Sequence, residues 1–486
     1  MHYSPIRNVY QCRLEAITPL HVGTGENLKS GFDFFSGQRK IHMINSSRLF
    51  QEVQRLGPQK LNEFTVAIDD GSAETWLGRQ GIRPDKIAVS SLPKPAGRPP
   101  REIRAHIKNG FGIPYLPGSS IKGALRTAVI RRLARENHAQ IKSGSSKPKF
   151  ADQKICNALL SNNKNDAKMN LMRTLTVGDF ALDKNSVNLF MVWVNRLTSP
   201  QKFDGKFPIF IEGLTRNAET NGIISFDCFL PQKDAEESCF NFEATLTLDW
   251  LLAACRELTA HTIETEQTFF QKKSGKPVKS IQAFYQTLAE EQKKLAPNEG
   301  IIQLAWGAGW RGMTGQLLET KDLTRNVRKQ LKLAPQEKYL DYPYPKSRRI
   351  VTTNGEDLPL GWVKISFQSK EELRRQKEAR KKQQIIVQQE EEKRIAESAR
   401  LSVENAKENF KSRVAQCRNL PGEIESFVQS VKHQENEKIR VEMCKTLLTK
   451  ASSLGKKKKF SKALKEERKW AQTLKVLCDT NNVPTT

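Results

Sequence analysis

The eight cysteines of this chain, Cys12, Cys156, Cys228, Cys239, Cys255, Cys417, Cys444 and Cys478, never form a C-x-x-C pair. Zinc ribbons and thiol redox motifs therefore lack support, and without a secretory signal so does a disulfide framework. The first residues, Met1-His2-Tyr3-Ser4-Pro5-Ile6-Arg7, are not such a signal. No apolar run approaches the ~20 residues that span a bilayer. A reduced, cytoplasmic protein with no membrane partner is expected. Acid is also short: 53 Asp and Glu stand against 80 Lys and Arg, for a net charge of +27. That excess is beyond what solubility requires and favours nucleic acid, or an acidic surface, as partner. With 486 residues, 37% of them hydrophobic, the chain can build a real core and two or three domains.

One stretch organises the rest: Tyr115-Leu116-Pro117-Gly118-Ser119-Ser120-Ile121-Lys122-Gly123-Ala124-Leu125-Arg126-Thr127. Pro117-Gly118 signals a turn, and Ser119 or Ser120 can cap a helix running to about Asn137. Ile121, Leu125, Ala128 and Val129 give it a buried face. A helix start has free N–H groups and the positive end of the helix dipole, and with Lys122 and Arg126 beside it this one suits a phosphate. An ordinary basic amphipathic helix fits the same residues. Gly118 to Gly123 has P-loop spacing, but Ala124 and Leu125 replace the lysine and hydroxyl that hold phosphate and magnesium, so an NTPase is rejected. Gly307-Ala308-Gly309-Trp310-Arg311-Gly312 satisfies G-x-G-x-x-G after an apolar run from Ile301. A dinucleotide site also needs an acidic residue about 20 positions on; here Thr324-Arg325-Asn326-Val327-Arg328-Lys329 is basic. Trp310 and Arg311 suit an RNA backbone better.

Tyr10, Cys12, Leu14 and Ala16 alternate as a half-buried strand that runs into a Gly23/Gly25 loop. Phe32–Phe35, with Asp33 at its start, and Lys40–Ile44 read as strands, followed by a helix capped by Ser46 or Ser47. Residues 58–113 read as irregular, with a Pro-rich basic loop from Ser91 to Arg101. Ser143–Pro148 is a flexible loop. Strand character returns at Leu175–Val177, Asn188–Val194, Pro208–Leu214, Ile223–Leu230 and Phe242–Leu248. The third and fourth of these read as a hairpin with Arg216 at a polar tip. Helices are expected over Asp249–His261 and Ser280–Leu295, then a basic one near Leu323–Leu333. After Phe367 the composition turns to Glu, Lys, Arg, Gln and Ala. Glu371–Asn409 reads as one long helix laced by i,i+4 charge pairs. Apolar stripes at Ile424–Val431, Ile439–Leu448 and Leu464–Leu477 make a small bundle with a basic corner at Gly455–Phe460. The fold class expected is α+β: an RRM- or ferredoxin-like core with insertions over residues 1–367, then a basic all-α region over 368–486.

Four stretches together resemble the RAMP superfamily of CRISPR effector proteins: Ile17-Thr18-Pro19-Leu20-His21-Val22-Gly23-Thr24-Gly25, Leu116 to Arg126, Val177-Gly178-Asp179, and Trp306 to Gly312. Their order and the chain length are most similar to the type III-A subunit of the Csm complex that caps the 3′ end of the guide RNA. The resemblance implies a non-catalytic crRNA-binding subunit that supports guide maturation and complex assembly in antiviral defence. Its implied neighbours are the 3′ part of the crRNA, target RNA, the repeated RAMP backbone subunit, a small helical subunit and host nucleases. No cofactor or metal is implied. Ser119, Ser120, Lys122, Gly123, Arg126, Gly307, Gly309, Arg311, His21, Gly23 and Arg216, the last as the cation of a thumb hairpin, are the expected RNA contacts. Two enzymatic alternatives come from the same family: target cleavage through Asp33, and guide processing through His21. For His21, a packed histidine is the favoured reading, because no second histidine or base–acid pair is visible beside it.

Overall fold

The computed structural model describes residues 7–95, 97, 99–137, 153–161, 167–228, 230, 246–317, 324–333, 336–340, 342–454 and 460–485. The chain divides into two compact units, Met1–Leu373 and Arg374–Thr486.

In the first unit, strand β1 (Arg7–Ala16) alternates as its sequence requires, with Cys12, Leu14 and Ala16 fully buried. The edge strand β2 (Gly23–Lys29) follows, then the short β3 (Phe34–Ser36) and β4 (Lys40–Ile44). Residues 45–87, expected as one helix and then irregular chain, form four helices: α1 (Ser46–Gln54), α2 (Pro58–Asp69), α3 (Ala73–Arg79) and α4 (Pro84–Ile87). Their stripes close a small core around Phe35, Leu49, Phe64, Trp76 and Leu77. The α1 cap is Asn45, whose side chain accepts from Arg48 N–H at 3.0 Å, so Ser46 lies inside the helix. Strand β5 (Ala88–Pro93) pairs with β4, so the start of the expected Pro-rich loop is strand. Strands β6 (Glu102–His106) and β7 (Tyr115–Leu116) lead to α5 (Gly118–Glu136). After α6 (Gln153–Leu160) come strands β8 (Leu175–Val177), β9 (Phe180–Ala181), β10 (Val187–Leu197), β11 (Phe203–Leu214) and β12 (Glu219–Asp227). Helices α7 (Leu248–Phe270) and α8 (Val278–Lys293) precede β13 (Glu299–Gln303), the one-turn α9 (Ala305–Ala308) and α10 (Arg325–Gln330). Strands β14 (Ser347–Thr353), β15 (Glu356–Pro359) and β16 (Trp362–Ser369) complete the unit.

The strands sort into a five-stranded sheet, β13-β16-β1-β12-β8, and a six-stranded sheet, β15-β14-β10-β11-β6-β2. Numbering β1, β8, β12 and β16 as 1 to 4 gives the order 4-1-3-2 of a ferredoxin-like core, with α5 after the first strand and α7 after the third. Both helices pack on one face of that sheet, through Ile121, Leu125, Leu252 and Cys255 against Leu14, Ile224 and Ile365. The expected β, β, α start belongs instead to the insert carrying β3, β4 and β5. The expected hairpin of 208–214 with 222–226 also does not form. Strand β11 pairs with β10, and β12 pairs with β1 in the other sheet. Leu20 and Leu214 exchange backbone hydrogen bonds, and Asn217 takes a positive φ as its N–H bonds Ala16 O, turning the chain from one sheet to the other.

The second unit is helical. Helix α11 (Lys370–Gln416) is exposed throughout residues 381–400 and carries i,i+4 and i,i+3 pairs such as Arg374–Glu378 and Arg394–Glu391. Phe410 and Val414 at its end pack with α12 (Leu420–Lys432), α13 (Glu437–Ser452), α14 (Phe460–Lys465) and α15 (Lys469–Thr480). The core is made by the stripes read from the sequence: Ile424, Phe427 and Val431, then Met443 and Leu447, then Leu474 and Leu477. The lysine run 456–459, the loop 143–148 and the start of the expected strand at Phe242 lie outside the described residues.

Candidate nucleic-acid interface

The four motif stretches are brought together by backbone contact. Gly118 opens α5 under Pro117, and its N–H donates to Asp179 Oδ1 at 2.8 Å. A methyl group on Gly118 would stand 2.2 Å from the Val177 carbonyl oxygen, so only glycine lets Val177-Gly178-Asp179 close on the helix start. The N–H groups of Ser120 and Ile121 return to Pro117 O. Neither serine caps the helix, contrary to expectation. The anion at the helix start is the chain's own Asp179 carboxylate, where a phosphate was expected.

On the other side, Gly361 N–H donates to Pro19 O, and Trp306 N–H donates to His21 O at 3.4 Å, which ties the Ile17–Gly25 stretch to the glycine loop. Gly307 is the second position where a side chain has no room: a methyl there would lie 2.3 Å from Leu360 O. Thr127 on α5 has its hydroxyl 3.0 Å from Gly123 O and 3.3 Å from Gly312 O, which fastens the helix to the loop. Between helix and loop lies a cleft of about 620 Å³ whose walls include Ser120, Gly123, Arg126, Gly309, Trp310 and Arg349. A second cleft of about 460 Å³ lies against Trp306, Gly309 and Trp310 as well, and against Arg104, Arg311 and Arg349. Arg126 makes no ion pair with any described residue. Arg311 reaches the second cleft with its Nη2 on Tyr344 O at 3.2 Å, and burial lowers its pKa. Lys122 is half-buried away from both clefts, and desolvation lowers its ammonium pKa.

His21 is 2% exposed. Its Nδ1 lies 2.6 Å from Glu212 O, and its ring meets Trp306 edge-on. Burial first, then the charges of Arg104 and Arg349, lower its pKa. Gly23 gives the ring room, since a methyl there would sit 2.8 Å from Nε2. The structure does place a second histidine beside it, which the sequence reading did not find: His106, ring centroids 6.2 Å apart. His106 is buried too, its pKa pushed down to about 4 by desolvation. The Glu212 carboxylate accepts from His106 N–H at 3.0 Å and from Lys108 Nζ at 2.7 and 2.8 Å. The Glu212 carboxylate thereby ties His106 and Lys108 together, while the buried His106 Nε2 has no hydrogen-bond partner among the described residues. Among the described residues no three His, Cys, Asp or Glu side chains converge as metal ligands. No described helix is long and apolar enough to cross a membrane.

The family model of the RAMP superfamily matches residues 13–270. The chain belongs to this superfamily. A Streptococcus thermophilus protein named CRISPR system Cms protein Csm5 is 25% identical over 26% of this chain, which spans 40% of that relative's length. A protein of the same name from Methanocaldococcus jannaschii is 23% identical, over 73% of this chain and 88% of its own. A chain from a solved Csm-crRNA-target RNA ternary complex of a type III-A CRISPR-Cas system superposes with a TM-score of 0.58, at 24% identity, over 74% of this chain and all of that one. That likeness is one of fold.

In this RAMP chain the expected contacts thus divide. Ser120, Gly123, Arg126 and Gly309 line the first cleft, and Gly307, Gly309 and Arg311 the second. His21 meets Trp306 edge-on with Gly23 beside its ring, and Ser119 is exposed outside both clefts. Arg216 is not at a hairpin tip: it lies in the crossover between sheets, paired with Glu356 at 2.9 Å. Asp33 does not start a strand. It sits in the turn before Phe34, where its Oδ2 accepts from Lys29 N–H at 2.7 Å. The open face of the ferredoxin-like sheet carries Gln11, Arg13, Asn221, Ile223 and Lys364, with Arg13 bonded to Glu219; Trp362 on the same face is buried, and among the described residues the face exposes no aromatic platform of the kind RRM sheets use. Sequence reasoning missed Arg104 and Arg349. Both lie on strands outside any motif, Arg104 as the one arginine of β6 and Arg349 beside Arg348 on β14.

Proposed function

We propose that this RAMP protein is a non-catalytic, crRNA-binding subunit of a type III-A CRISPR interference complex, the one that caps the 3′ part of the guide. The observation that carries this reading is the cleft between α5 and the Gly307 loop. Two motifs far apart in sequence form its walls, and Arg126 in it has no carboxylate partner among the described residues. The RNA backbone lies across that cleft and is held by charge and main chain, which needs no base code and so serves any guide. The names of the relatives and the neighbour's ternary complex support crRNA, target RNA and other Csm subunits as partners. These are the repeated backbone RAMP and the small helical subunit, with host nucleases trimming the guide, in the cytoplasm. The reading without a catalytic role draws on the surroundings of the candidates: His21 is buried with its Nδ1 at Glu212 O, the Glu212 carboxylate pairs with Lys108, and one Asp33 oxygen accepts from Lys29 N–H.

The test is a binding and cleavage assay with purified full-length protein, labelled guide RNA and labelled target RNA, with magnesium or manganese present. Binding without cleavage is expected. Cleavage abolished by Asp33→Ala or His21→Ala would overturn the reading in favour of an endoribonuclease.

A further inference from the structure

Arg104 on β6 and Arg349 on β14 stand second from either edge of the six-stranded sheet, with β10 and β11 between them. Three inter-strand steps put their backbones roughly 14 Å apart. Register places Arg104 beside Ile211 and Arg349 beside Val194. From the two sides their side chains converge on one ring: the Cζ atoms lie 5.0 and 4.2 Å from the Trp306 centroid. Arg349 Nη1 donates to Trp306 O, while Arg104 has no hydrogen-bond partner among the described residues. Neither pairs with a described carboxylate. Among the described residues the one carboxylate lining the 460 Å³ cleft beside them, Glu266, is held by Arg348. Two half-buried guanidiniums on one indole repel each other, and an anion held by both would offset that repulsion. The cleft is large enough for one small ring system. It is walled by Trp310 and Tyr344 in edge-to-face contact, centroids 4.8 Å apart. It shares Gly309, Trp310 and Arg349 with the α5 cleft, so the two clefts adjoin.

We infer that Arg104 and Arg349 seat one phosphodiester of a single-stranded RNA, and that the 460 Å³ cleft takes the adjoining base, turned out of the stack. The inference rests on the RNA-binding reading above and adds to it a defined one-nucleotide site. Guanidiniums laid on an aromatic floor are weakly hydrated and present paired N–H donors, which matches a phosphate. Unstacked bases held by aromatic side chains are the ordinary currency of single-strand recognition.

The experiment uses full-length protein, a labelled single-stranded RNA, and the same RNA with an abasic residue placed at each position in turn. For the wild type, one abasic position is expected to weaken binding about tenfold. Arg104→Glu should weaken the intact RNA, lower the slope of log affinity against log salt by about 0.7, and erase that abasic penalty. Its melting temperature should hold or rise, because the new carboxylate can pair with Arg349; Arg104→Gln should behave the same way, with a smaller loss of affinity. AMP should displace the RNA better than inorganic phosphate. Equal competition by the two, or no abasic-sensitive position, would overturn the base pocket. RNA binding unchanged in Arg104→Glu would overturn the phosphate seat. A melting temperature lowered in both variants would make the pair a structural feature and overturn the inference. A wild type that binds no RNA would instead remove the functional reading beneath it.

Discussion

Arg348 and Arg349 are neighbours on β14, leave the strand in opposite directions, and meet opposite fates. Arg348 lies toward α7, where both Glu266 oxygens accept from it at 2.7 Å and Phe269 lies beneath its guanidinium. Arg349 faces the glycine loop, with Trp306 and a second arginine for company. The first region has its charge balanced inside the fold, and the second does not. The difference separates architecture from function more sharply than composition does: in a chain of net charge +27 the informative cations are those left half-buried without a carboxylate.

The comparison can be broken most forcefully on its balanced side. Glu266→Ala strands the Arg348 guanidinium, which is 14% exposed, and should cost about 3–5 kcal/mol in urea unfolding. A loss near zero would place Arg348 among the free cations.

A second test uses acid. His106 is neutral in the folded state, with its pKa pushed down to about 4 from an ordinary 6.5, and His21 is shifted the same way. Between pH 6.5 and 4 the unfolded chain therefore binds more protons than the folded one. Stability is full above pH 6.5 and falls as pH drops toward 4, by roughly 3 kcal/mol for His106. Thermal unfolding across that range should show the decline, and His106→Gln should flatten it. A flat wild-type profile would mean that the ring is solvated.

The smallest effect sharpens the cleft itself. Arg126→Ala should lower the salt slope of RNA binding by about 0.7 to 0.9, and Lys122→Ala, outside the cleft walls, by less. Neither change should alter stability measurably, because partly exposed charges without a carboxylate partner contribute little. Equal slopes for the two variants would move the RNA path along the helix toward Lys122.

Much of this fold was legible because local patterns decide it. The α5 stripe, the alternation of β1 and the stripes of the helical tail all became core. The partition into sheets was not legible. Whether β11 turns back on β12 or departs from it depends on Leu20 meeting Leu214, a contact no local pattern announces. The helices of residues 58–87 were missed although Leu61, Phe64, Trp76 and Leu77 carry a usable stripe, because their Gly and Pro punctuation suggested loop. At the site, glycine and cation motifs marked the two walls of the first cleft. Arg104 and Arg349 were invisible because arginines on two separate strands acquire meaning only when both are seen to meet Trp306.

The closures at Gly118 and Gly307 bear on how such chains are recognised across generations. Each glycine is required by a carbonyl oxygen of its own backbone, Val177 O in one case and Leu360 O in the other. Neither requirement involves a ligand. A descendant that lost every cation of the two clefts would still need both glycines to close its main chain. These two glycines therefore mark the scaffold, and a change of binding would be recorded in the arginines around them.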